Sequence, residues 1–111
     1  MNYKIRVIIK RPDERYGHVC NISKSLENLQ RTVDGYIEVV PVTDLADGKK
    51  IILICNEEGK LKDLEHNFYL WDEEVVGTVI ICGVEGDEFG DLPQTFGLAE
   101  WKKFLDEMRW K

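Results

Sequence analysis

The 111-residue chain has only three cysteines and two histidines, and this scarcity excludes several classes of site. Cys20, Cys55 and Cys82 lie far apart in the sequence, so no CxxC pair is present to bind zinc or to act as a redox centre. An HExxH motif, a Gly-x-Ser-x-Gly elbow, a Walker A loop and a dinucleotide-binding glycine motif are also missing. The sequence therefore predicts no cofactor and no metal site, and it supplies no recognised catalytic set.

Long apolar runs and an excess of basic residues are missing too. No run approaches the ~20 apolar residues of a membrane-spanning helix, and the first residues do not resemble a signal peptide, so we expect a cytoplasmic protein without membrane contact. Basic residues number 15 against 21 acidic ones, which gives a net charge of −6 at pH 7. Because basic surfaces supply most nucleic-acid affinity, nucleic acid is not an expected partner.

Alternating residues near the amino terminus predict a strand with one buried face. The apolar members are Tyr3, Ile5, Val7 and Ile9, and the polar members are Lys4, Arg6 and Lys10. Residues 12–17 are rich in turn formers, and residues 18–22 can return as the second strand of a β-hairpin.

A second hairpin is predicted over residues 36–56, where β-branched residues are frequent. Pro41 lacks an amide donor, so it should lie at a sheet edge, at a bulge or at the end of its strand. The apolar run 51–54 is short enough to be a strand buried on both faces. Residues 75–82 predict a further strand, in which Gly77 is a candidate bulge.

Two amphipathic helices are predicted. Ser23 suits the N-cap of a short helix over about 24–33, and Gly35 follows where a residue with positive φ commonly ends a helix. Apolar residues recur at helical spacing in a longer carboxyl-terminal helix over about 96–109. These elements predict an α+β fold with a mostly antiparallel sheet of about five strands, in a single domain over 1–111.

Two similar motifs suggest where a partner could bind. Residues 54–59 read Ile-Cys-Asn-Glu-Glu-Gly, and residues 81–86 read Ile-Cys-Gly-Val-Glu-Gly, each after an apolar run. Turn formation alone would explain both motifs, because Asn and Gly favour the first and fourth positions of a type I turn. The functional interpretation is that two adjacent strand ends present their carboxylates along one rim of the molecule, where they would bind a cation or a basic partner surface.

The segment 60–72 shows no clean period and predicts a structured loop with a short strand or a turn of helix. It contains Phe68, Tyr69 and Trp71, which either fill the core or form an exposed platform beside the acidic rim. The predicted binding residues are Asn56, Glu57, Glu58, Gly59, Gly83, Glu85, Gly86, Asp87, Glu88 and Phe89, with Asn67 and Trp71 from this segment.

Three long segments resemble a family of uncharacterised proteins, the domain-of-unknown-function family 3846. They are residues 35–42 (Gly-Tyr-Ile-Glu-Val-Val-Pro-Val), residues 54–61 (Ile-Cys-Asn-Glu-Glu-Gly-Lys-Leu) and residues 77–83 (Gly-Thr-Val-Ile-Ile-Cys-Gly). The resemblance implies a compact α+β domain and an association with bacteria, phages and plasmids. It transfers no active site. The hairpin segment 12–20 and residues 66–68 depart from the family pattern.

The sequence leaves three functions open. The first is a non-enzymatic accessory or binding protein, of phage or mobile-element origin, that engages a host protein or small ligand through the acidic turns. The second is a protein that sequesters a nucleotide-like small molecule, which requires an oligomeric interface or a pocket lined by Tyr69, Trp71 or Trp101 near a basic residue. The third is an enzyme that uses Cys55, Cys82 or His66. A monomer and a homodimer are both compatible with the sequence.

Overall fold

A computed structural model describes residues 3–109 of the chain. Its elements, in chain order, are β1 (Lys4–Lys10), β2 (His18–Ser23), α1 (Leu26–Val33), β3 (Ile37–Asp44), β4 (Lys50–Asn56), β5 (His66–Leu70), β6 (Glu73–Val76), β7 (Val79–Glu85), β8 (Glu88–Gly90) and α2 (Leu98–Arg109). Within this part of the chain, neither helix is long and apolar enough to cross a membrane.

Six of the strands form one antiparallel sheet in the order β2-β1-β7-β4-β3, and β8 pairs with β7. Strands β5 and β6 form a separate two-stranded sheet. The predicted α+β class is confirmed, including the antiparallel sheet, the short helix and the longer carboxyl-terminal helix. Both predicted hairpins are present as β1–β2 and β3–β4.

The main sheet is covered on both faces. One face packs against α1 through Leu29 and Val33. The other face packs against α2 through Trp101 and Leu105, and against the β5–β6 hairpin. Strand β4 is buried on both faces over residues 51–54, as its continuous apolar run predicts. The prediction of one buried face for β1 was wrong, because Ile8 and Lys10 point into the second layer and are also buried.

Local sequence rules locate α1 and its last residue, Val33, correctly, but they misplace its N-cap and the residue with positive φ that follows it. Ser25 is the N-cap, and its Oγ accepts a hydrogen bond of 3.2 Å from the Asn28 amide. Ser23 cannot cap the helix because it still pairs with Lys4 in the sheet. At the other end Asp34, with φ 65°, takes the left-handed conformation that was predicted for Gly35. Asp tolerates this region better than most residues.

Two residues show how the strands end. Pro41 lies in the edge strand β3, and the β3–β4 register shifts between Pro41 and Thr43, so the predicted edge and bulge are both found. Gly77 is not a bulge inside one strand. With φ 75°, it turns the chain between β6 and β7, and these two strands belong to different sheets.

Candidate functional site

The two acidic turns do not share a rim, and this part of the prediction was wrong. Strands β4 and β7 are neighbours, but they are antiparallel, with Ile51 opposite Gly83 and Ile54 opposite Ile80. The carboxyl end of each strand therefore lies beside the amino end of the other. Residues 56–59 are at one end of the sheet, and residues 85–88 are at the opposite end.

The turn at 56–59 forms as predicted and is held by Asn56. The Gly59 amide donates to the Asn56 carbonyl at 3.3 Å, which closes the turn, and the Glu58 amide donates to Asn56 Oδ1 at 2.7 Å. Asn56 Nδ2 donates to the carbonyls of Val33 and Asp34 at the end of α1. Asn56 is buried and fully engaged, so its role is to position the exposed carboxylates of Glu57 and Glu58.

These carboxylates border a cavity of about 460 Å³ between the outer β3–β4 hairpin and the β5–β6 hairpin, which we call the acidic cavity. Its apolar side chains are those of Val40, Cys55, Leu61, Leu70, Val75 and Val76. Its carboxylates belong to Glu38, Glu57, Glu58, Glu73 and Glu74. The lining contains one basic residue, Lys60, whose Nζ lies 3.7 Å from a Glu73 carboxylate oxygen. The cavity thus combines an apolar floor with a strongly negative rim.

Gly59 allows the turn to lie close to the hairpin. A Cβ atom at this position would lie 2.7 Å from Val76 Cγ2, which is inside van der Waals contact. The predicted site residue Gly59 therefore acts through its small size, because any larger residue would push the turn away from the cavity wall.

The second acidic turn has a different character. Residues 86–87 form a two-residue hairpin loop between β7 and β8, in which Gly86 has φ 63°. Glu88 pairs with Lys24 at 3.0 Å, and Glu85 lines a depression together with Arg6 and Lys49. Basic residues thus accompany these carboxylates.

The other predicted members of the second turn are mostly structural. Gly83 lies inside β7 opposite Gly90, where a Cβ atom would collide with the Asp91 carbonyl. Phe89 is half-buried and packs against the core beneath α1. Asp87 is exposed at the loop.

Asn67 was predicted to contact a ligand, but it is buried and links the two sheets. Its Nδ2 donates to the carbonyls of Lys10 and Gly77 at 3.0 and 2.7 Å, and its Oδ1 accepts a hydrogen bond from Lys10 Nζ. Lys10 is only 1% exposed, and this burial, with repulsion from Arg109, lowers its pKa to about 8. The sequence missed Lys10 because it occupies a polar position of an alternating strand.

The aromatic segment divides between the core and the surface. Phe68 is buried against Trp101, whereas Tyr69 and Trp71 are 57% and 58% exposed. Trp71 has φ 55° at the first position of the two-residue loop between β5 and β6. In the β7–β8 hairpin the same position is held by Gly86, the residue that such loops favour.

Trp71 and Tyr69 border a second cavity of about 460 Å³, which we call the aromatic cavity. It lies between the β5–β6 hairpin and the end of α2, and its lining includes His66, Tyr69, Trp71, Asp72, Met108 and Arg109. The Trp71 and Phe104 rings are nearly perpendicular, with their centroids 6.1 Å apart, and His66 Nδ1 lies 2.8 Å from a Glu74 oxygen. Trp101, which was also considered for such a pocket, is fully buried.

The cysteines lie in surroundings that suppress thiolate formation. Burial raises the pKa of Cys82 to about 12, and burial together with the nearby Glu38 raises the pKa of Cys55 to about 11. Burial also raises the pKa of Cys20. Among residues 3–109, no group of three or more His, Cys, Asp or Glu side chains is arranged to hold a metal ion.

The fold and the cavities define a small α+β protein in which one hairpin separates an acidic cavity from an aromatic one. The chain matches the family model described as Domain of unknown function (DUF3846) over residues 5–106, and it belongs to that family. No curated protein and no solved structure matches the chain significantly.

Proposed function

We propose that this chain is a non-enzymatic accessory protein that binds a protein partner through the acidic cavity. The observation that carries the proposal is the composition of that cavity, where five carboxylates surround an apolar floor and Lys60 is the one Lys or Arg among the described lining residues. The matching occupant is a segment of a partner that presents Lys or Arg together with apolar side chains.

The carboxylates and the apolar floor of the acidic cavity would contact different parts of such a segment. The apolar floor favours burial of the methylene stems and neighbouring apolar residues, because each buried CH₂ group contributes roughly 0.8 kcal/mol. The carboxylates favour the charged heads, which remain near water at the rim. An acidic segment would meet like charges at the same rim.

The exposed aromatic rings lie on the hairpin that borders the acidic cavity. Tyr69 lies directly opposite Glu74 in the β5–β6 register, so a ring and a carboxylate of the acidic cavity lie side by side. Tyr, Trp and Arg dominate the energetics of protein interfaces, and the faces of aromatic rings attract cations. Tyr69 and Trp71 therefore suit a partner of the same basic character.

A binding role fits the rest of the chain better than catalysis does. The raised pKa values of Cys55 and Cys82 keep both thiols protonated at neutral pH, whereas a cysteine nucleophile must ionise. A cytoplasmic location and an origin in a phage or other mobile element belong to the same proposal, and they rest on the sequence alone.

A titration followed by NMR tests the site. The probe is a short peptide of alternating lysine and leucine, and its counterpart carries glutamate in place of lysine. We expect the lysine peptide to shift the backbone amides of residues 57–61 and 73–76, and the glutamate peptide to shift none of them. Shifts spread equally over both ends of the sheet, or no shifts, would refute the acidic cavity as the site.

Matched variants sharpen this test. Glu57→Gln with Glu58→Gln removes two charges at the acidic cavity, and Glu85→Gln with Asp87→Asn removes two charges at the opposite end. We expect the first pair to weaken peptide binding about tenfold, which corresponds to about 1.4 kcal/mol, and the second pair to change it less than twofold. Equal effects would mean that the peptide responds only to net charge.

A second candidate function is the binding of a small planar ligand in the aromatic cavity. The specific observation is that Tyr69 and Trp71 line it together with Arg109, which is the combination that a nucleotide-like ligand requires. Native mass spectrometry of the purified full chain would show a bound ligand as added mass, and Trp71→Ala should remove that mass. If the wild type carries no added mass and nucleotides do not quench its tryptophan fluorescence, this candidate is excluded.

A further inference from the structure

The two outer strands of the main sheet are protected to different degrees. Strand β3 carries Glu38, Asp44, Pro41 and a register shift, all of which discourage pairing with another chain. Strand β2 reads His-Val-Cys-Asn-Ile-Ser, with no Lys, Arg, Asp, Glu or Pro, and its pairing with β1 is regular throughout. An uncharged, regular edge strand is a template for a further strand.

The hydrogen bonds show which groups of β2 face outward. The Lys24 amide donates to the Tyr3 carbonyl at 2.9 Å, so the even-numbered residues of the strand are bonded to β1. The amide and carbonyl groups of Val19 and Asn21 therefore point away from the sheet. Val19 is 41% exposed and Asn21 is also exposed. Among the described residues, the Ser23 carbonyl is already occupied, because it accepts from Asn28 Nδ2 at 2.8 Å.

We infer that β2 is a self-association edge whose occupant is β2 of a second copy of this chain. An antiparallel pair related by a two-fold axis at Cys20 places Val19 of each copy opposite Asn21 of the other. This register uses every outward group of these two residues in four hydrogen bonds. An axis at Asn21 would instead pair Val19 with Ser23, whose carbonyl is already bonded to Asn28, and an axis at Val19 would pair Asn21 with Gly17, which lies outside β2. The axis at Cys20 is therefore the one that keeps all four hydrogen bonds between unoccupied groups of the strand.

The proposed interface is small and rests on backbone hydrogen bonds. The charged groups at the ends of β2 are already paired within one copy, Lys24 with Glu88 and Glu14 with Arg11 and His18. The contact covers less than the roughly 800 Å² per partner of a stable interface. We therefore expect a weak dimer with a dissociation constant on the order of 10–100 μM.

Sedimentation velocity of the full chain under reducing conditions tests the dimer between 1 μM and 500 μM. Asn21→Pro removes one outward amide and no bond to β1, so the fold should persist. Val39→Pro is the matched control, because Val39 lies on β3, where the odd-numbered residues face outward. We expect Asn21→Pro to weaken the dimer at least tenfold and Val39→Pro to leave it unchanged. A wild type that stays monomeric, or equal effects of the two prolines in folded variants, overturns the inference.

Cysteine trapping tests the register. In the proposed dimer the two Cys20 residues face each other as a non-hydrogen-bonded pair with Cα atoms about 4.5 Å apart, which a disulfide can span. With added diamide, two Cys20 thiols lose two protons and two electrons, and the diamide is reduced to its hydrazine. We expect a covalent dimer from the wild type and from Cys55→Ser, but none from Cys20→Ser. No covalent dimer, or one that survives Cys20→Ser, contradicts the register. Because β2 borders neither cavity, this result is independent of the proposed function.

Discussion

Trp71 occupies a backbone conformation that local rules assign to glycine. A large side chain in the left-handed region costs roughly 1–2 kcal/mol, and this ring is also mostly exposed. Its edge-to-face contact with the Phe104 ring offsets part of that cost. Unfavourable backbone together with exposed apolar surface is common at binding sites, where such a residue is retained for its contacts with a partner.

Two substitutions at this position distinguish the energetic contribution of the ring from that of the backbone conformation. Both Trp71→Gly and Trp71→Ala remove the ring, but only glycine relieves the positive φ. We expect Trp71→Gly to be more stable than Trp71→Ala by about 1 kcal/mol in urea unfolding. Equal stabilities would show that the loop relaxes to an ordinary conformation once the ring is absent.

Lys10 makes the stability depend on pH in a direction that can be derived. Its pKa is about 8 in the folded chain and 10.5 ordinarily, so between these values the unfolded chain binds more protons. Stability contributed by this group therefore rises with pH. The expected gain from pH 7 to pH 9 is on the order of 1 kcal/mol.

Comparison with Lys10→Met measures this gain. The raised pKa values of Cys55 and Cys82 act in the opposite direction, because unfolding exposes thiols that ionise near pH 9. Both thiols are present in both proteins, so their contribution cancels in the difference. Urea unfolding at pH 7, 8 and 9 should show the wild type gaining on the variant. A constant difference would mean that the folded chain keeps Lys10 charged at its ordinary pKa.

At the scale of secondary-structure elements, Asn56 connects α1 to the turn after β4. Its side chain makes three hydrogen bonds, two of them to the last carbonyls of the helix and one within the turn. Asn56→Ala leaves the Val33 carbonyl and the Glu58 amide without these partners, while the Asp34 carbonyl keeps a 3.4 Å hydrogen bond from Lys62 Nζ, and we expect a loss of about 2–3 kcal/mol. The neighbouring Glu57→Gln is the control and should change the unfolding free energy by less than about 0.5 kcal/mol. A small loss for Asn56→Ala would show that water replaces the amide.

The sequence predicted elements that local patterns define. Both hairpins and both helices follow from alternation, turn residues and helical spacing, as Pro41 at the edge of β3 illustrates. The relation between β4 and β7 could not be predicted in this way. They are separated by the β5–β6 hairpin, and nothing in the residues 54–59 or 81–86 specifies whether neighbouring strands run parallel or antiparallel.

The shared acidic rim could not be predicted for the same reason, because its geometry depends on contacts between segments that are distant in the sequence. Glu57 and Glu58 line a cavity because the chain returns over them as β5–β6, a contact between segments distant in sequence. Lys10 and Asn67 were misjudged because a second layer covers a strand face that looks polar in the sequence. Trp71 was predicted as a binding residue because it is a large aromatic residue. The hairpin loop that contains it could not be recognised from the sequence, because positions with positive φ in such loops usually hold Gly, Asn or Asp.

At the scale of the whole molecule, the net charge of −6 opposes the proposed dimer and favours the proposed binding of a basic partner. Two copies of the chain repel each other at long range, whereas a basic peptide is attracted. The Debye length falls from about 30 Å at 0.01 M salt to about 10 Å at 0.1 M, so added salt weakens both effects.

The salt dependence should therefore distinguish the two contacts in one set of measurements. Between 0.02 M and 0.3 M sodium chloride, we expect binding of the lysine-leucine peptide to weaken about tenfold and the β2–β2 dimer to strengthen a few-fold. Isothermal titration follows the peptide, and sedimentation velocity follows the dimer. Glu85→Gln with Asp87→Asn removes two negative charges outside both contacts and reduces the magnitude of the net charge, so it should reduce the salt response of the dimer while leaving the acidic cavity intact. A dimer that weakens with salt would mean that local ion pairs, and not the hydrogen bonds of the strand edge, hold the two copies together.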